Sequence, residues 1–310
     1  MPPLASLARP NDLTGKTFVL TGCGAQSLGE ATAIALAQRG ARLLISTRQD
    51  AAQRAADIAA QAGLPHQQIV GHDCDLLQAR STADFAAWVV HQTTSLDGLI
   101  NNAGIHLDLL RDHKSPQISA DGQEIHWRCN YLGTAQLTFA LLPLLLQTAQ
   151  ERGQARIVQV ASMLHSKGQN RWMFAPQTQH DSWVSYGSSK LALMHLSLEL
   201  HERYQALGLR TYSLHPGAVS TQVAHKGLQE RPALAALRRA LLPLEKLFLL
   251  SPAQGARTTV HCATAPDAPS GLYWRNSRPA SPSLELADNA ARTRLWSQTQ
   301  NWLHQTQHAR

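Results

Sequence analysis

Short apolar runs alternate along the chain with longer amphipathic stretches. Thr17-Phe18-Val19-Leu20, Ala41 to Ser46, Gln68 to Gly71, Leu96 to Ile100, Arg156 to Ala161 and Leu209 to Leu214 have strand length and aliphatic character. Between them lie an Ala-rich segment ending near Arg39, segments near 50–62 and 121–149, and a segment opening at about Ser182, each predicted to be helical. The alternation predicts an α/β fold, a Rossmann-type doubly wound parallel sheet with helices on both faces. Residues 1–310 read as one such domain, with an arm over 1–13 and a helix over 287–308 that gathers Leu295, Trp296, Trp302 and Leu303 on one face. Leu234 to Leu250 is apolar and broken by Pro243 and Pro252; it reads as buried helices, as a movable substrate lid over 220–250, or as a surface that meets lipid.

Composition narrows the picture. Hydrophobic content of 44% with 16% charged residues suits a folded chain. The net charge of +7 is dispersed, Arg238-Arg239 being the densest basic point, so no nucleic-acid partner is expected. Cys23, Cys74, Cys129 and Cys262 form no CxxC pair, which suits reduced thiols in a cytoplasmic protein and argues against a disulfide framework or a metal site. Met1 to Pro10 lacks a signal-like apolar core, and no run reaches the roughly 18 apolar residues of a membrane span. A homo-oligomer stays open.

In an open α/β sheet, ligands gather at the carboxyl ends of the strands. Thr21 to Gly29 is a small-residue turn between the first strand and first helix, where backbone amides and the helix dipole can receive a pyrophosphate. The second strand ends at Thr47-Arg48 with no acidic residue to bind ribose hydroxyls; Arg48 would accept a ribose phosphate, which favours NADP(H), or it simply covers the strand surface. Tyr186 and Lys190, four apart on a predicted helix, share a face and could form a proton-handling pair, since a neighbouring cation favours a phenolate.

Taken together, Thr21-Gly22, Asp75-Leu76, Asn101-Asn102-Ala103-Gly104, Asn130, Ser162, Tyr186 with Lys190, and Pro216-Gly217 resemble the short-chain dehydrogenase/reductase superfamily over about residues 14 to 275. Asp121-Gly122, Asn130 to Gly133, His215 to Val219 and Ser251 to Ala256 look most like its retinol dehydrogenase branch. The resemblance implies that Tyr186 exchanges a proton with a carbonyl or alcohol oxygen and that Lys190 lowers the pKa of Tyr186 and holds the nicotinamide ribose. It implies further that Ser162 bonds the reacting oxygen and that Asn130 steadies a relay water. For the cofactor it implies Gly22, Ser27, Leu28 and Gly29 at the pyrophosphate, Asp75 and Leu76 at the adenine, Asn102, Ala103 and Gly104 at a ribose, and Pro216, Gly217, Val219 and Thr221 at the nicotinamide end.

Two features depart from that pattern. The glycine turn is one residue longer, with Ser27 where a glycine is usual, and a side chain there would crowd the pyrophosphate or add a donor to it. The segment between Ser162 and Tyr186 is long and holds Met163, Leu164, Trp172, Met173, Phe174 and Trp183, which suggests the wall of a lipophilic small-molecule site or a loop that packs on its own sheet. The expected activity is NADP-dependent hydride transfer between nicotinamide and a carbonyl or alcohol. The alternatives are a non-catalytic NADP-binding regulator, which the altered turn would permit, and a structural dimer partner.

Overall fold

The computed structural model describes residues 12–106, 115–219 and 250–308. Six parallel strands carry the chain: β1 (Thr17–Thr21), β2 (Arg42–Ser46), β3 (Ile69–Gly71), β4 (Gly98–Asn101), β5 (Ala155–Val160) and β6 (Leu209–His215). They are joined by α1 (Leu28–Ala37), α2 (Ala51–Ala62), α3 (Ala79–Gln92), α4 (Thr134–Arg152) and α5 (Ser182–Tyr204). α6 (Pro252–Thr264), β7 (Leu272–Arg275), β8 (Arg278–Pro279) and α7 (Asn289–His308) complete the described chain. The sheet order is β3-β2-β1-β4-β5-β6-β7-β8, parallel except for the last pair. The order reverses about β1, so β1 and β4 diverge into crossovers on opposite faces and leave a crevice at their carboxyl ends.

The period of two explains the two cores. On β1, Val19 joins the apolar cluster beneath α3, α4 and α5, whereas Phe18 and Leu20 join the one beneath α1, α2 and α6. All four cysteines are buried within these layers and unpaired.

Three expectations change. The helix expected from about residue 121 begins at Trp127, because Ile118 and Glu124 form an antiparallel bridge around the Gly122 turn. Pro252 opens a helix instead of breaking one: it follows Ser251, whose side chain and Gln254 form a reciprocal capping box, and the first helical position has no use for the missing N–H. The continuous helix Trp127–Arg152 is long and apolar enough to cross a membrane by length and composition, although no uninterrupted run suggested it; most of it is buried in the fold, and a sheet-covering core helix meets the same test. The lid segment lies outside the described residues apart from Leu250, whose N–H bonds Ala218 O at 2.8 Å. Most of the N-terminal arm lies outside them as well.

The terminal helix α7 docks on α4 and α5. Trp296 meets the Phe139 ring edge-on at 5.0 Å, and Tyr131 Oη shares a 2.6 Å hydrogen bond with Thr299 Oγ1. Arg292 donates to Glu199 at 3.0 Å and to Glu202 at 2.7 Å. Arg292 and Glu199 are buried, so Arg292→Leu should cost about 3 kcal/mol, the low end for breaking a buried pair because Arg203 still reaches Glu199. Urea unfolding followed by tryptophan fluorescence would measure it; an unchanged midpoint would show that α7 is held without this ion pair.

Candidate active site

α5 begins where Asp181 accepts hydrogen bonds from the N–H groups of Trp183 (2.8 Å) and Val184 (3.2 Å). That cap sets Tyr186 in the second turn and Lys190 in the third, on the side facing the ends of β4 and β5. Lys190 Nζ lies 5.8 Å from the centre of the Tyr186 ring. Ser162, two residues beyond the end of β5 at Val160, caps a short 3₁₀ turn (Met163–Lys167) and sets its hydroxyl beside the phenol of Tyr186. Asn130 enters from a π-helical turn (Trp127–Gly133) before α4; such turns commonly mark functional positions. Its Oδ1 accepts from Ile105 N at 2.7 Å, and its Nδ2 donates to Ile105 O at 3.0 Å and to Ser189 Oγ at 3.1 Å. Gly104 completes the group: a Cβ there would stand 2.9 Å from Lys190 Nζ and 3.2 Å from Asn130 Oδ1. The four residues expected to do chemistry are therefore brought together.

Their electrostatics differ from expectation. Burial pushes the Tyr186 phenol above its ordinary value, and the neighbouring Ser162 hydroxyl works in the opposite direction. Lys190 does not offset that burial here. Its ammonium donates to Val160 O at 3.0 Å, and burial brings its own pKa down to about 8.

The expected cofactor residues fall along the carboxyl edge of β1 to β4 and at the end of β6. Gly22 has φ 77° and lies against Ala103, where a Cβ would meet Ala103 Cα at 2.9 Å. Asn102 and Ala103 both donate backbone N–H to Thr21 Oγ1, at 3.1 and 3.0 Å, and Asn102 Nδ2 donates to Thr21 O at 2.8 Å. Leu28 and Gly29 open α1. The extra residue of the turn is absorbed by Gln26 at φ 55°, whose N–H bonds Glu30 Oε2 at 2.6 Å. Ser27 is the cap of α1: its Oγ accepts from Glu30 N at 3.1 Å and faces Gly22 O at 3.4 Å, so the hydroxyl is turned onto its own backbone.

Thr47 Oγ1 donates to Gln49 O at 2.7 Å, and Arg48 is exposed at the end of β2. Asp75 accepts from Leu77 N (3.0 Å) and Gln78 Nε2 (3.2 Å), beside buried Leu76. Pro216, Gly217 (φ 96°) and Val219 follow β6; Gly217 lies against Leu250, while Pro216 and Val219 pack under Gly255 of α6, where a Cβ would meet Val219 at 2.4 Å and Leu28 at 3.2 Å. Thr221 lies outside the described residues. This donor set fits a dinucleotide: helix-start amides, an exposed guanidinium and a buried ammonium line one edge of the sheet.

Of the long loop before Tyr186, Met173 is buried in the main core with Phe174 packed against it, so these two serve the fold. Trp183 instead meets His106 edge-on at 4.8 Å, and His106 stacks on Tyr186 at 4.3 Å. Sequence reasoning missed His106, two residues past Gly104. It also missed Arg128, fully buried, which donates to Leu76 O and Asp121 Oδ2, both at 2.6 Å. A charged residue inside the apolar stretch 127–132 was the available signal for Arg128. Among the described residues, no cluster of three or more His, Cys, Asp or Glu side chains could hold a metal.

Comparison with known proteins agrees with this geometry. The family model described as short chain dehydrogenase matches residues 16–232. The chain is 32% identical to mouse (Mus musculus) retinol dehydrogenase 12 over 288 residues, 92% of this chain and 85% of that protein. It is 33% identical to the Bos taurus retinol dehydrogenase 12 over 292 residues, again 92% and 85%. A crystal structure of an uncharacterized Mycobacterium paratuberculosis protein superposes with a TM-score of 0.70 at 26% identity, covering 96% of each chain. The chain therefore belongs to the short-chain dehydrogenases, oxidoreductases that act on CH–OH groups, and within them it is retinol dehydrogenase-like.

Proposed function

We propose that the protein is an NADP-dependent oxidoreductase that interconverts a carbonyl and an alcohol on a lipophilic small molecule. The observation that carries this reading is the convergence of Tyr186, Ser162, Lys190 and Asn130 behind Gly104 at the crevice of the sheet. A nicotinamide cofactor supplies or receives the hydride when bound. In the reducing direction Tyr186 gives its proton to the carbonyl oxygen as negative charge develops there, and in the oxidising direction it takes the proton back. Ser162 donates to the same oxygen and so stabilises that charge. Lys190 would hold a ribose hydroxyl, and its ammonium, once released from Val160 O, would act on the raised phenol. Asn130, tied to Ile105 and Ser189, is rigid enough to hold a relay water beside Lys190.

Arg48, exposed with no acidic residue at the end of β2, supports NADP(H) over NAD(H). The His106, Trp183 and Tyr186 ring cluster supports a substrate with apolar surface. The four unpaired buried cysteines suit a reducing, cytoplasmic setting. The non-catalytic reading draws on the altered glycine turn, whose Ser27 caps α1.

A panel of aldehydes and ketones assayed with NADPH and NADH tests the proposal; no turnover with either cofactor would refute it. Arg48→Ala should lower the NADPH preference by about ten- to a hundredfold, the worth of hydrogen bonds to a charged group, with little change for NADH. An unchanged preference would remove Arg48 from cofactor choice.

A further inference from the structure

His165 is buried three residues after Ser162, and both of its ring nitrogens are committed. Nδ1 lies 2.6 Å from Ser162 O, which can only accept, so Nδ1 carries the proton. Nε2 receives the N–H of Ser283 at 3.0 Å, which can only donate, so Nε2 is bare. The two partners fix one neutral tautomer without reference to any titration. They also join two distant parts of the chain, the turn that carries Ser162 and the segment entering the 3₁₀ turn Leu284–Ala287.

A second tie runs beside the first. Asn170, in the same active-site loop, donates its N–H to Glu285 Oε2 and its Nδ2 to Glu285 O, both at 2.7 Å. Its Oδ1 accepts from His195 Nε2 at 2.9 Å, so a second buried imidazole on α5 holds the asparagine in that orientation.

We propose that His165 is a positioning residue: it clamps the Ser162 backbone to the Ser283–Glu285 segment, and the clamp opens when the imidazole takes a second proton. That proton would sit on Nε2 and face the Ser283 N–H, replacing a hydrogen bond with an opposed pair of donors. Ser162 O keeps its contact with Nδ1–H, but the turn that carries Ser162 is no longer tied to Ser283 and the segment withdraws.

Facing His165 are Tyr273 of β7, edge-on at 4.8 Å, and His215 of β6, with Arg275 beyond it; the other charged groups on the neighbouring elements are Lys167 on its own turn and Glu285, bonded to Asn170, on the docked segment. Burial holds His165 below its ordinary value and brings His215 down to about 4, so both are neutral near pH 7. A histidine whose folded pKa is depressed contributes stability that is present above its unfolded value of about 6.5 and is lost as pH falls through the folded one. The clamp is thus closed at neutral pH and released on the acid side.

The proposal rests on the oxidoreductase reading of Ser162, and its test separates the two. ¹⁵N-histidine NMR on the wild-type protein should show His165 as the neutral Nδ1–H tautomer at pH 7. Acidification should add the second proton in step with faster amide exchange at Ser283. Neither readout needs turnover: if both appear and no carbonyl is reduced, the oxidoreductase reading fails and the clamp stands.

Two variants divide the imidazole. His165→Asn keeps a donor near Ser162 O and loses the Ser283 acceptor, whereas His165→Gln keeps the acceptor and loses that donor. Ser283 exchange should rise in His165→Asn only. The acid limb of kcat should move in both, and kcat in His165→Gln should fall about tenfold or more with KM unchanged. An Nε2–H tautomer in the wild type, or identical pH profiles in all three proteins, would overturn the proposal.

Discussion

Tyr186→Phe is expected to lower kcat by about 10²- to 10⁴-fold, the usual worth of a positioned general acid, while leaving cofactor affinity nearly unchanged. The substitution removes one oxygen and keeps the ring. That ring stacks on His106 at 4.3 Å with 21° between planes and meets His126 edge-on at 6.1 Å, contacts that a phenylalanine retains. A fall in rate would therefore report the loss of the proton, with the pocket wall intact. Ser162→Ala provides the cross-check. The two groups are neighbours and would act on one oxygen, so the double variant should be far less impaired than the product of the two single losses. Turnover that survives Tyr186→Phe would exclude the phenol as the acid.

The parallel half of the fold was legible because its strands are short apolar runs separated by small-residue turns, and a period of two followed by a longer amphipathic stretch has few other readings. The edge of the sheet was not. Leu272–Arg275 is only four residues long with Leu272 exposed, and β8 is the pair Arg278–Pro279, too short to leave a pattern. Pro252 read as a breaker because the capping partnership of Ser251 and Gln254 shows only once the helix exists. At the site, the spacing of Tyr186 and Lys190 was readable as one turn of helix, and family resemblance added Ser162 and Asn130. The state of the pair was not readable, because it depends on burial and on the Val160 carbonyl that takes the Lys190 ammonium. Arg128 and His165 were missed for a related reason: their contacts at Leu76 and Ser283 lie 52 and 118 residues away, beyond any local pattern.

Gly29→Ala should damage folding and cofactor binding together, because two backbones meet where its side chain would be. A Cβ would stand 2.4 Å from Gly22 O and 2.8 Å from Asn102 Nδ2. The first of these is main chain, fixed by the Gly22 and Cys23 N–H bonds to Ser46 O at 2.9 and 3.0 Å, and cannot swing aside as a long side chain would. The start of α1 must instead lift from the turn, straining the Asn102 bonds to Thr21 O and Gly22 O. Overpacking of this kind costs about 1–3 kcal/mol and displaces the helix-start amides assigned to the pyrophosphate, so NADPH affinity should fall at least about tenfold. Gly24→Ala is the matched control. A Cβ at Gly24 meets nothing within 4 Å, so stability should change by less than about 0.5 kcal/mol. If Gly24→Ala nonetheless weakens NADPH binding, the open space above Gly24 is where the pyrophosphate lies. Thermal melts with and without NADPH separate the two effects. A Gly29→Ala protein that melts and binds like the wild type would show that α1 does not rest on Gly22 and would withdraw the glycine turn as the cofactor cradle.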